Sequence, residues 1–423
     1  MPYQSVLSVV APVRDGAADE LDRLLAEMGN GVANGEVIDF GTLSGVHFAR
    51  IVVVPADTDH RGRPLPANIV YLADLDLSPE EHLAELVRLA GEGVDRVFGH
   101  CEGYPVGAPG ERERLEWLRS RVARAPATYV NTRGRTREQI VQEAELREAV
   151  SDFLDRRPDL RDRHPRAVRD AIRKFVGGEP RLRWALEPAD RPGFAARIRE
   201  WAHLAWVGLL VLIALPFALV AAPVYALLLR RHEKRDPAPH IRADEATVLE
   251  LAALEDHLPM NPFTAVGQVK PGPFRKVTIN VILYLLNAVT RHLLKPGDLV
   301  GVKTIHFARW LFLNDRRQVL FASNYDGSLE SYMDDFIDKI SWGLNLVFTN
   351  GIGYPRTRWL IKDGCRDELA FKDYLRLHQA PTLVWHSAYG RLSTANVAAN
   401  ERLRKGLHSD LRGDGEREWV QAL

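Results

Sequence analysis

Hydrophobic spacing divides the chain into two runs of elements in the same order. Residues 5–11 form a β-prone stretch that stops at the turn signal Val13-Arg14-Asp15-Gly16. Leu21, Leu24, Leu25 and Met28 then recur at the spacing of a helix buried on one side, over residues 17–28. Strands are expected at residues 46–54 and 68–74, separated by a polar loop. Ser78-Pro79-Glu80-Glu81 opens a second helix: Ser78 can cap, Pro79 suits the first turn, and Glu81 completes a capping box. Leu83, Leu86, Val87 and Ala90 mark its buried face, and residues 94–100 read as a closing strand.

The order then returns. A strand at residues 263–269 ends in Lys270-Pro271-Gly272 and leads into an apolar helix over residues 274–294. Strands follow at residues 304–313 and 318–323. Ser328 starts a helix that buries Tyr332, Met333, Phe336, Ile337 and Ile340, and residues 344–349 read as its closing strand. Each half continues into another helix (near residues 111–124 and 367–377), then Ala125-Pro126 or Ala380-Pro381, a β-prone run and a polar helix.

Sequence identity supports the match. Val46-His47-Phe48-Ala49-Arg50 answers Ile305-His306-Phe307-Ala308-Arg309, and Val70 to Pro105 aligns with Leu320 to Pro355 without a gap. Both stretches close on Gly-Tyr-Pro, at Gly103-Tyr104-Pro105 and Gly353-Tyr354-Pro355. Similarity at this distance indicates a duplicated domain and not a solenoid of short repeats. The expected fold class is α+β, with two tandem ferredoxin-like βαββαβ repeats paired as an α+β barrel and a hydrophobic membrane segment inserted between them. The domains are residues 1–150 and 261–410, joined by an insertion at 151–260 and followed by a polar tail at 411–423.

That arrangement resembles the dimeric α+β barrel superfamily, which includes dye-decolourising peroxidases, chlorite dismutases and small cofactor-free monooxygenases. Asn324-Tyr325-Asp326-Gly327 is similar to the Gly-x-x-Asp-Gly signature of the peroxidases, with Ser323 in place of the first glycine. The first half has Leu77 where the last glycine would stand. The resemblance implies bare sheet faces pressed together with a pocket between them, haem as a cofactor, and Asp326 as a distal acid–base group. His306 and His386 are the candidate haem ligands, and His306 could serve instead as a general base. Arg309 and Arg50 could stabilise a bound anion. Asn324 and Tyr325 replace Asp74 and Leu75 of the first half, which makes the second half the candidate for chemistry.

Each of these residues also has a structural reading. A strand histidine can bond to its neighbours, the arginines can pair with Asp326 or Asp76, and Asp326 can be a turn residue at a strand-to-helix junction. Alternation along the strand puts His306, Ala308 and Trp310 on one face and Phe307, Arg309 and Leu311 on the other, unless a bulge intervenes.

Composition alters the picture at the insertion. Residues 202–229 contain no Asp, Glu, Lys or Arg, long enough for a membrane segment. Trp201, Trp206 and Tyr225 suit its interfaces. Arg191, Arg197 and Arg199 precede the apolar stretch, and Arg230, Arg231, Lys234 and Arg235 follow it. Basic residues on both flanks, with Pro216 and Pro223 between, favour a proline-broken hairpin dipping into one leaflet over a single crossing or a buried helix pair. The expected location is membrane-associated, with the repeats on the cytoplasmic face.

Across the 423 residues, 56 acidic and 56 basic side chains balance, so no net field points to nucleic acid as a partner. The two cysteines, Cys101 and Cys365, sit in no metal-ligand spacing, and residues 1–10 lack a signal-peptide pattern. No GxSxG, P-loop, HExxH or GxGxxG motif occurs. The expected partners are membrane lipid and a hydrophobic small molecule such as an oxidised lipid, with a homo-oligomer left open. The expected function is a haem-dependent or cofactor-free oxidoreductase, against the alternative of a non-catalytic lipid-binding or scaffold module.

Overall fold

Two four-stranded antiparallel sheets organise the chain in the computed structural model, which describes residues 3–31, 35, 37–189, 192–237 and 240–423. Arg191, part of the basic flank, lies outside the described residues. The first half contributes β1 (Ser5–Pro12), α1 (Ala18–Gly31), β2 (Val46–Val54), β3 (Asn68–Leu75) and α2 (Pro79–Phe98). It continues with α3 (Glu111–Ser120), β4 (Ala127–Val130) and α4 (Arg137–Asp155). After α5 (Pro165–Gly178), α6 (Phe194–Arg235) and α7 (Glu245–Ala252), the second half repeats this order. It runs through β5 (Met260–Gln268), α8 (Pro273–His292), β6 (Ile305–Leu313), β7 (Gln318–Asp326) and α9 (Leu329–Phe348). Its tail is α10 (Glu368–His378), β8 (Val384–Ser387), α11 (Thr394–His408) and α12 (Asp414–Gln421).

Each half lends its last strand to the other. One sheet runs β1-β3-β2-β8, with Trp385 of β8 opposite Arg50. The other runs β5-β7-β6-β4, with Thr128 of β4 opposite Arg309. The exchange occurs within one chain. Side chains from the facing surfaces interleave: Val54, Val70 and Leu72 of one sheet pack with Leu311, Leu313, Leu320 and Ala322 of the other. On the outer faces, α1 and α2 cover the first sheet, and α8 and α9 the second.

The closing strands expected at residues 94–100 and 344–349 are helical. One residue in each long helix leaves helical geometry, Ala90 (φ −130°, ψ 33°) and Ile340 (φ −141°, ψ 34°), and the helix resumes beyond it. The kink shifts the phase of the apolar positions, so the Val- and Phe-rich ends read as strands although Val94, Val97 and Phe98 hold a helical spacing. Only the single bridges Val13–Cys101 and Val269–Gly351 remain at those edges. The Ser78 capping box forms as expected, with Glu81 Oε2 accepting from the Ser78 N–H at 2.9 Å.

The helix α6 is long and apolar enough to cross a membrane. It is continuous through Pro216 and Pro223, which corrects the expected hairpin. Each proline removes one backbone donor, leaving the carbonyls of Leu212 and Leu219 without their usual helical partner. Both ends of α6 are fastened to the same body. Glu200 pairs with Arg133 and, at 2.5 Å, with Arg291. At the other end Glu233 accepts the N–H groups of Trp359 and Leu360 at 3.1 and 2.8 Å. Asp236 just beyond pairs with Lys270 at 2.8 Å and Arg275 at 2.5 Å. Between these anchors every side chain from residue 211 to 225 is exposed.

A helical layer completes the body. The helices α4 and α11, which follow the exchanged strands, bury Leu146, Val150, Leu403 and Leu407 together with Ile172 of α5 and Trp419 of α12.

Candidate functional site

Of the polar residues singled out in the sequence, His306, Arg50, Arg309, Asn324 and Asp326 gather between the two sheets. In both strand pairs the register slips by one residue at the histidine, between Val46 and Phe48 and between Ile305 and Phe307. His47 and His306 are therefore bulge residues. The bulge cancels strict alternation, so His306 lies with Phe307 on the inner side: its ring is 5.4 Å from Phe48 and 5.7 Å from Tyr389.

The arginines cross from sheet to sheet. Arg309 donates to the carbonyls of Leu7 (2.5 Å) and Ala73 (3.0 Å) and pairs with Asp74. Arg50 does the reciprocal: it donates to the carbonyls of Phe263 (2.8 Å) and Ser323 (2.7 Å) and to Asn324 Oδ1. The partners differ from those expected, because each arginine reaches the opposite half and not the next turn of its own. Asn324 stands where a second Asp74 would meet the first carboxylate, and its Nδ2 is 3.4 Å from Asp74 Oδ2. Burial pulls the Arg50 guanidinium down to about 9, opposed by Asp74 and aided by Arg309. It stays charged at neutral pH.

Asp76 and Asp326 serve the histidines instead. His47 Nε2 and His306 Nε2 each lie 2.8 Å from their aspartate. The second oxygen of each aspartate accepts the first N–H of the helix after an exchanged strand: Arg137 of α4 at 2.7 Å, and Thr394 of α11 at 2.8 Å. A carboxylate at a helix N-terminus is favoured by the helix dipole. The two halves differ at the other ring nitrogen. The Tyr389 hydroxyl, which burial keeps protonated, lies 2.5 Å from His47 Nδ1. His306 Nδ1 is buried without a partner among the described residues, as is the hydroxyl of Thr132.

His386 and Tyr325 point away from this cluster. Trp385 faces inward and donates to Asn324 Oδ1 at 2.9 Å, so its neighbour His386 faces outward, with Phe40 at 5.9 Å. The strand register makes Tyr129 the counterpart of His386: Tyr129 opposes Ala308 as His386 opposes Ala49. Burial pushes His386 down to about 4. Tyr325 stacks on Tyr332 at 4.0 Å in the outer core. The fold thus joins His306 to Asp326 and Arg309 to Asn324 through Asp74, and leaves Tyr325 and His386 elsewhere.

The pocket expected between the sheets is nearly filled. A space of about 10 Å³ remains beside Arg50, Asp74, Arg309 and Asn324, room for no more than about one water molecule. A larger cavity, about 90 Å³, lies in the second half between the outer face of its sheet and the helices α8 and α9. Phe263, Trp310 and Phe321 form its floor, Leu286 and Val289 one wall, and Met333, Phe336 and Leu344 the other. Trp342 and Val300, 48% and 38% exposed, stand at its rim. No histidine lines it. It is smaller than the ~150 Å³ apolar cavity that holds benzene in a well-studied case. Neither space is large enough for a haem, and His306 is buried with its Nε2 2.8 Å from Asp326.

The cavity residues were not singled out in the sequence as a site. Their signal was the surplus of apolar residues on α8, whose buried Ile279, Ile282 and Leu283 are accompanied by exposed Val277, Val281 and Leu285. No protein-family model and no curated protein matches the chain.

Proposed function

We propose that this protein is a membrane-associated binding protein for a single apolar chain, held in the cavity between α8, α9 and the second sheet. The observation that carries the reading is that cavity: it is lined by apolar side chains, Leu286 and Val289 of α8 among them, and its lining residues Trp342 and Val300 are exposed. Its size suits part of an acyl chain and not a fused ring system. Two further proposals complete the reading. The halves are tandem ferredoxin-like repeats closed on each other as an α+β barrel, supported by the reciprocal strand exchange and the matched arginine contacts. The helix α6 contacts lipid from one side, supported by its two anchored ends and its uncovered apolar middle.

Solvent extraction and mass spectrometry of protein purified from membranes test the reading. We expect about one acyl-bearing molecule per chain, and loss of it in Ala308→Leu, which fills the cavity from β6 and should retain the circular dichroism of the parent. Protein that carries no such molecule, or a fully occupied Ala308→Leu variant, would overturn it.

A further inference from the structure

A second cavity adjoins the first and has the opposite chemistry. It measures about 380 Å³ and lies where the start of α6 passes the end of α8. Arg133, Arg291 and Lys295 line it together with Glu200, Tyr3 and Trp201. Leu294 lines both cavities, so the polar space and the apolar one meet across a single side chain.

The charges there are organised. Glu200 holds Arg291 at 2.5 Å and also pairs with Arg133, whose guanidinium stacks over the Tyr3 ring at 4.7 Å. One carboxylate thus orients two arginines without neutralising both, and Lys295 adds a charge that has no acidic partner among the described residues. The pocket keeps a net positive charge. Guanidinium groups in fixed orientation suit the oxygens of carboxylate or phosphate. Trp201 sits at the boundary between the anchored start of α6 and its apolar stretch, where an indole suits the edge of a lipid layer.

We infer that the ligand is a single-chain anionic amphiphile, with its carboxylate or phosphate head among Arg133, Arg291 and Lys295 and its tail passing Leu294 into the apolar cavity. This rests on the acyl-chain reading above and adds the head, its charge and the route between the two spaces. An anionic head also gives one end of the ligand a fixed place, which an apolar cavity alone cannot do.

The test is calorimetric titration of the full chain in phosphatidylcholine nanodiscs, with empty discs as blank. The probes are octyl phosphate, octanoate, 1-octanol and inorganic phosphate. Octyl phosphate and octanoate should bind more tightly than 1-octanol by roughly tenfold, the scale of one well-placed charge contact. Lys295→Glu should remove that advantage, whereas Ala308→Leu should weaken all three octyl compounds. Lys295 is exposed, so its substitution tests the head pocket without threatening the fold. Equal binding of 1-octanol and octyl phosphate, or indifference to Lys295→Glu, would overturn the anionic head while sparing the apolar cavity. Inorganic phosphate binding as tightly as octyl phosphate would mark a free-phosphate site and break the proposed link to the tail. Failure of every octyl compound to bind would take down the acyl-chain reading and this inference together.

Discussion

Arg309 and Arg50 hold the molecule together across its midline. Each is buried and reaches main-chain carbonyls of the opposite half, so neither half satisfies its polar groups alone. Removing one member of a buried pair leaves the other charge without compensation, at a cost of about 3–5 kcal/mol. Arg309→Met should lower stability by that amount in urea unfolding, and Arg309→Met with Asp74→Leu should recover a good part. A single variant within about 0.5 kcal/mol of the parent would contradict the role. Two buried histidines should make the fold acid-sensitive. Burial pushes His82 and His386 down to about 4, below the unfolded value near 6.5. The unfolded chain therefore binds more protons between those limits, and stability falls as pH drops from about 6.5 to about 4. The slope of stability against pH should flatten in His82→Asn with His386→Asn; an unchanged slope would place the acid sensitivity elsewhere. At this scale the sequence was half legible. The paired His and Arg positions stood out by recurrence, but one-residue bulges and cross-half partners depend on tertiary register, which no local spacing encodes.

Helices and strands were more legible than their ends. Capping at Ser78 and Ser328 marked the starts of α2 and α9 correctly, because caps are local chemistry. The kinks at Ala90 and Ile340 hid the last turns, and the exchanged strands β4 and β8 could be recognised as β-prone but not assigned a sheet. The helix α6 was read correctly as a long apolar segment and wrongly as a hairpin. Thirty-odd residues separate Glu200 from Glu233, roughly 50 Å of helix, yet both bind the same body. Cysteines placed at Arg199 and Lys234, both exposed, should react with an impermeant maleimide added to one side of sealed vesicles. Labelling from opposite sides would mean that α6 crosses the bilayer.

Taken whole, the molecule is built on its symmetry, and the site we propose lies where the two halves differ. The matched His–Asp and Arg contacts close the two sheets and leave almost no space between them. The described apolar cavity belongs to the second half, where α8 carries more apolar residues than burial alone needs. That half also carries the rim and the adjoining basic pocket, beside the anchored start of α6. Duplication pointed to a pocket between the sheets, and that space is nearly filled, because two bare sheet faces can be closed by side chains as well as opened around a ligand. Anomalous diffraction from crystals grown with 12-bromododecanoate locates a bound acyl chain directly. Bromine is expected among Met333, Phe336 and Leu344. Bromine between the sheets near Arg50 and Arg309, or along α6 alone, would contradict it.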